Sequence, residues 1–160
     1  MKELNIQIPV KVYDYADLNT DDRMLVDAAR EATHRSYVPY SHFSVGAAAR
    51  LADGTVVSGS NQENAASPSS LCAERTTLFY ANSRYPDQAV EALAIAARNE
   101  KGAFLADPIS PCGACRQVML ETETRFGKPM RILLYGTRCI YELSGVGSLL
   151  PLSFNAESMK

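Results

Sequence analysis

The chain has no apolar run long enough to cross a bilayer. Its longest stretches, such as Ala92-Leu93-Ala94-Ile95-Ala96-Ala97, fall far short of the roughly 20 residues that a spanning helix needs. The N-terminus, Met1-Lys2-Glu3-Leu4-Asn5, also lacks the apolar core of a signal peptide. Together these absences predict a cytoplasmic protein with no membrane partner. No long basic run exists and the net charge is −2, which argues against nucleic acid as a partner, because phosphate neutralisation needs clustered Lys and Arg. Histidine is scarce. His34 and His42 sit in no ligand motif and read as surface or structural residues. No internal repeat, low-complexity segment or linker divides the sequence. Only four cysteines occur, and in a reducing compartment they point to metal binding or catalysis before disulfides.

The 160 residues suit one domain, and a chain of this size buries roughly 70% of its unfolded surface. Leu4, Ile6, Ile8, Val10 and Val12 alternate as in a strand or extended arm, and Pro9 puts that segment at a sheet edge. A helix is predicted over Thr20 to Tyr37, capped by Asn19 or Thr20, with Leu25, Val26, Ala29 and Ala32 on its apolar stripe. Phe43 to Leu51 and Thr55 to Ser60 flank the turn signal Asp53-Gly54 and read as a hairpin. A helix starts near Cys72 and runs to about Ser83, and Val90 to Arg98 reads as a buried strand. After a loop over Asn99 to Ile109, Ser110 is the predicted cap and Pro111 the first residue of a helix ending near Phe126-Gly127. Arg131 to Tyr135 and Arg138 to Leu143 are further strands, and a helical turn is placed around Ser148 to Leu150. This order predicts an α/β fold, a three-layer α/β/α sandwich with one mixed sheet of about five strands. Residues 1–18 read as an N-terminal extension or extra strand, and residues 19–160 as a single domain.

The chemistry concentrates in Cys72-Ala73-Glu74-Arg75 and Ser110-Pro111-Cys112-Gly113-Ala114-Cys115-Arg116-Gln117. Three thiolates can hold a zinc ion and leave its fourth position open to water. Cys112 and Cys115, three residues apart, share one helix face, and Cys72 opens the other helix. Both helix N-termini offer unpaired N–H groups and partial positive charge, which stabilise thiolates. Arg75 adds a donor behind the ligands, and Gln117 is assigned the same supporting place. Glu74 cannot be half of a capping box, because Leu71 cannot cap, so it is free to carry protons for the water. Two other readings of the spacing stay open at this point. The C-x-x-C could be a redox dithiol, or Cys139 could close a four-cysteine structural site.

Five segments together resemble the cytidine deaminases of the small, three-cysteine, homotetrameric kind: Pro39-Tyr40-Ser41-His42-Phe43-Ser44-Val45-Gly46-Ala47, Asn61-Gln62-Glu63-Asn64-Ala65, Cys72-Ala73-Glu74-Arg75-Thr76, Ser110 to Gln117, and Leu149-Leu150-Pro151-Leu152-Ser153-Phe154. The resemblance runs from about Thr20 to Phe154 and matches the zinc–water–glutamate chemistry of the deaminases. It implies one zinc per subunit on Cys72, Cys112 and Cys115, catalysis by Glu74, and hydrolysis of cytidine or 2′-deoxycytidine to the uracil nucleoside and ammonia. By the same resemblance, Asn61 and Glu63 hold ribose hydroxyls, and Phe43 packs on the base. The Ala73 N–H and the Ser110 carbonyl touch the pyrimidine oxygen and the leaving amine. Phe154 reaches into a neighbour's site within a tetramer. Cys139 matches no ligand of the family and reads as a small core residue. Ser67 departs from the pattern, standing where many relatives carry tyrosine, and residues 1 to about 18 precede the usual start. Other readings are a deaminase of another free aminopyrimidine nucleoside and a non-catalytic structural zinc module.

Overall fold

The computed structural model describes residues 1–160. One mixed sheet of six strands runs through the molecule in the order β1-β6-β5-β4-β2-β3. The strands are β1 Lys11–Tyr13, β2 Ser44–Leu51, β3 Val56–Ser60, β4 Val90–Arg98, β5 Arg131–Tyr135 and β6 Ile140–Ser144. The helices are α1 Thr20–Ala32, α2 Ala73–Arg84 and α3 Gly113–Phe126. Only β4 and β5 pair in parallel; every other pair is antiparallel.

Period-two alternation explains why the sheet is covered on both faces. Along β4, Ala92, Ala94 and Ala96 pack with Leu25, Val26 and Ala29 of α1. Leu93 and Ile95 point the other way, towards Leu78 of α2 and Met119 of α3. Each such fully buried Leu or Ile contributes roughly 1.5–3 kcal/mol relative to exposure. The α1 face of the sheet is mostly alanine, so that helix sits close. Gly46 on β2 marks the limit, because a Cβ there would lie 2.1 Å from the Ala29 carbonyl oxygen. Only glycine fits at this approach.

Several elements depart from the sequence-based expectation. The sheet has six strands, the sixth being β1 at the edge. Of the alternating 4–12 segment only Lys11 and Val12 pair, and with Tyr13 they lie against Glu142 to Ile140. Pro9 lacks an N–H, and the partner strand ends at Ser144 before Gly145 turns away at φ 80°. Asn19 is the cap of α1, its side chain accepting from the Asp22 N–H. That helix stops at Ala32 and not near Tyr37. The Thr33 hydroxyl donates to the Arg30 carbonyl at 2.6 Å and the chain tightens into a 3₁₀ turn over Thr33–Arg35. Ser110 does not cap α3. The cap position belongs to Cys112, with Pro111 buried just before it. The turn placed at 148–150 lies at Val146–Ser148, and Asn155 caps a further 3₁₀ turn over Ala156–Met159.

Candidate metal centre

Strands β3, β4 and β5 run in one direction, since β3 and β4 are both antiparallel to β2 and β5 is parallel to β4. Helix α2 follows β3 and α3 follows β4, and each returns the chain to the start of the next of these strands. Both helices therefore begin at the carboxyl ends of these strands, where open α/β sheets form their crevice. This topology brings Cys72 to Cys112 across 40 residues of sequence. Each is the cap residue of its helix, extended at ψ 156° and 166°, and neither side chain caps. Cys115, on the first turn of α3, is buried.

The Sγ atoms of Cys72 and Cys112 lie 3.8 Å apart and those of Cys112 and Cys115 3.4 Å apart, with all three within 4.8 Å of one another. Zinc–thiolate bonds of about 2.3 Å at tetrahedral angles imply sulfur separations of about 3.8 Å. The donor set therefore fits one zinc ion per chain. No other His, Cys, Asp or Glu joins the group, so Cys139 does not complete a closed four-cysteine site. The Cys72 thiol is pulled down to about 5, first by the hydrogen bond it shares with Cys115 and next by Arg75. That contact pushes the Cys115 thiol up. The Arg75 NH2 group donates to the Cys72 Sγ at 3.5 Å, and its Nε is buried without a partner.

Glu74 is only 4% exposed, in the first turn of α2 beside these thiols. Burial pushes its carboxyl above the ordinary carboxylate range, and the neighbouring Cys72 pushes it the same way. A carboxyl raised in this manner is suited to taking up and returning a proton.

The profile of the cytidine and deoxycytidylate deaminase zinc-binding region matches residues 19–126. The chain belongs to that family. It is 43% identical over 139 residues to the cytidine deaminase of Halalkalibacterium halodurans, covering 87% of this chain and 98% of that one. Against the cytidine deaminase of Mycobacterium tuberculosis it is 42% identical over 144 residues, covering 88% and 95%. Its fold matches the crystal structure of the Burkholderia pseudomallei cytidine deaminase with a TM-score of 0.70 and 37% identity, over 82% of this chain and 97% of that one.

Around the centre of this deaminase-family site, Asn61 and Glu63 are already engaged. The Asn61 Oδ1 accepts from the Val45 N–H and its Nδ2 donates to the Phe43 carbonyl, each at 2.9 Å. This side chain pins the start of β2, where Phe43 is half-buried. One Oδ1 lone pair and one Nδ2 hydrogen remain for a ligand. The Glu63 Oε2 accepts from the Tyr40 and Ser41 N–H groups at 2.9 and 3.3 Å. The Ser41 side chain and these two donors hold its carboxyl below the usual range. Ala73 opens α2, so its N–H has no partner inside the helix. Ser110 is exposed two residues before Cys112.

Gln117 does not reach the thiols. Its Nε2 donates to the Phe154 carbonyl at 2.9 Å and ties the C-terminal segment to α3. Arg116 acts beside it and was not singled out by the sequence. Its Nε donates to the Pro111 carbonyl at 2.9 Å and its NH1 to the Leu149 carbonyl at 2.7 Å. One guanidinium thus fixes the turn before Cys112 against the tail. The only signal in the sequence was its place directly after Cys115, because both acceptors are main-chain carbonyls that no side-chain pattern reveals.

Proposed function

We propose that this chain deaminates cytidine and 2′-deoxycytidine hydrolytically, releasing uridine or 2′-deoxyuridine and ammonia, as a cytoplasmic homotetramer serving pyrimidine salvage. One observation carries the reading: three thiols stand in zinc-binding range with no fourth protein ligand, and a buried carboxyl adjoins them. When bound, the zinc ion supplies Lewis-acid activation of water at neutral pH. Glu74 accepts a proton from the attacking water and passes it to the ring nitrogen next to the reacting carbon. It then takes the second proton from the hydroxyl now on that carbon and delivers it to the amino group. The water oxygen ends on that ring carbon, the carbon–nitrogen bond breaks, and ammonia leaves. Glu63 and Asn61 orient the sugar through its secondary hydroxyls, and Phe43 packs on the base. The Ala73 N–H holds the pyrimidine oxygen, and the Ser110 carbonyl receives the leaving amine. Arg75 balances thiolate charge.

Phe154 is 62% exposed within one chain, which supports a seat for its ring in an adjacent subunit. Activity then requires the assembled oligomer. A structural zinc module would need a fourth ligand, and the cluster has none.

The test measures loss of cytidine absorbance and zinc content in one sample, with light scattering across protein dilution. Zinc-loaded protein that leaves both nucleosides intact overturns the reading. Full specific activity in a demonstrated monomer overturns the shared site.

A further inference from the structure

Only two helices, α2 and α3, pack on the sheet face that carries Leu93, Ile95, Leu134 and Leu143, and the sheet has six strands. The β6 edge of that face is bordered by other means. Val12 of β1 lies opposite Tyr141 of β6, so the two side chains share a face. Tyr141 in turn lies opposite Leu134 of β5. Two and four residues before Val12, Val10 and Ile8 border the same side, as a continued two-residue period places them. A cavity of about 430 Å³ opens between this N-terminal arm and the sheet, with Leu149 and Pro151 of the tail also lining it. Ile8 and Val10 stay 45% and 42% exposed, so the arm borders the space without filling it.

The polar groups of this lining are few. Arg116 carries its only charge, and no carboxylate borders the space. The Arg116 Nε and NH1 are tied to the Pro111 and Leu149 carbonyls, which fixes the plane of the guanidinium. Its NH2 group donates to no atom of the chain, and neither does the Ser110 hydroxyl beside the same space. On β6, Glu142 alternates to the opposite face, where Lys11 and Arg131 hold it, so that acid does not compete for Arg116. A preset guanidinium edge beside apolar volume matches a carboxylate carried on an apolar body. The volume falls within the range of about 300–1,000 Å³ usual for small-molecule sites. We propose that this cavity binds an amphipathic monocarboxylate, its apolar body against Ile8, Val10, Leu143 and Leu149 and its carboxylate on Arg116. One wall of the site comes from residues that precede the family match over 19–126, so it is separate from the metal centre.

Titration calorimetry of the zinc-loaded full chain with 4-phenylbutyrate, 4-phenylbutan-1-ol and 4-phenylbutylamine reads the choice of head group on one apolar body. The expected result is saturable binding of one 4-phenylbutyrate per chain, with the alcohol and the amine weaker on the order of tenfold or more. Val10→Asp sets a carboxylate into the lining from the exposed arm, and should weaken 4-phenylbutyrate on the order of tenfold or more. Arg116→Lys keeps the charge, loses the fork and should weaken it in the same direction. Should Arg116→Lys fold poorly, Val10→Asp decides. No saturable binding, equal affinity for acid and alcohol, or an affinity unchanged in the folded variants overturns the site. Binding seen only in dilute protein and lost as subunits associate would show that a second copy covers this face, and overturns it as well.

Discussion

Two buried carboxylates in this molecule behave in opposite ways. Glu74, beside the thiols, is 4% exposed, and Asp22, at the start of α1, is 2% exposed. Burial pushes both carboxyls up. At Glu74 that push wins, because the adjacent thiol reinforces it and the opposing contacts with its own backbone, Cys115 and Arg75 are weaker. At Asp22 it loses. Arg131 forks onto both carboxylate oxygens at 3.1 and 2.7 Å, Asn19 donates at 2.9 Å, and Arg50 approaches to 3.4 Å. The net effect holds the Asp22 carboxyl below its ordinary value. Arg131 reaches on to Glu142 at 2.7 Å, and Lys11 of β1 closes the chain of charges at 3.1 Å. A buried acid without partners has its carboxyl raised, as the proposed proton carrier needs, and one with its partners supplied becomes a tie between α1 and four strands of the sheet.

The sharpest way to break this contrast is Glu74→Gln. Turnover of cytidine should fall by about 10²–10⁴-fold or more, with zinc content and thermal midpoint held. Retention of more than about a tenth of wild-type kcat would remove Glu74 from the proton-carrying role. The reciprocal change is Asp22→Ala, which leaves Arg131 without its main partner. Removing one member of a buried pair costs about 3–5 kcal/mol. With the Arg131 side chain 36% exposed, the lower end, about 3 kcal/mol, is expected in denaturant unfolding, and specific activity of the folded fraction should be preserved. A stable Asp22→Ala protein with impaired chemistry would invert the comparison.

Acid sharpens it further. The folded pKa of Asp22 lies below its unfolded value near 3.8, and that of Glu142 below 4.5. The stability these groups contribute is present above those unfolded values and is lost as pH falls through the lower folded ones. The gap in thermal midpoint between wild type and Asp22→Ala should therefore be constant near neutrality and narrow as the pH drops below about 4. A gap that widens in acid would show that Asp22 is not held as a carboxylate. Lys11→Ala should give the smallest effect. Its ammonium is mostly in solvent, so only a slight fall in midpoint is expected, one that added salt abolishes. A loss rivalling that of Asp22→Ala would make β1 a principal support of the sheet.

The sequence by itself determined the ligands and the elements that carry them. Val90–Arg98 and Arg131–Tyr135 were legible to the residue, because a short, nearly continuous apolar run bounded by polar residues declares a buried strand without its partner. Cys72, Cys112 and Cys115 were legible because spacing fixes which residues share a helix face, and Glu74 because no cap could claim it. Tertiary structure decided what depends on residues far apart in the chain. It made Cys112 the cap in place of Ser110, committed part of the Asn61 amide to β2, sent Gln117 to the tail, and limited the N-terminal edge strand to Lys11–Tyr13. It also joined Asp22 to Arg131 across 109 residues and opened a cavity beside the N-terminal arm. Local periodicity records which face of an element is apolar. Which polar groups meet is set by sheet order and crossover geometry, and these emerge only when the strands pair.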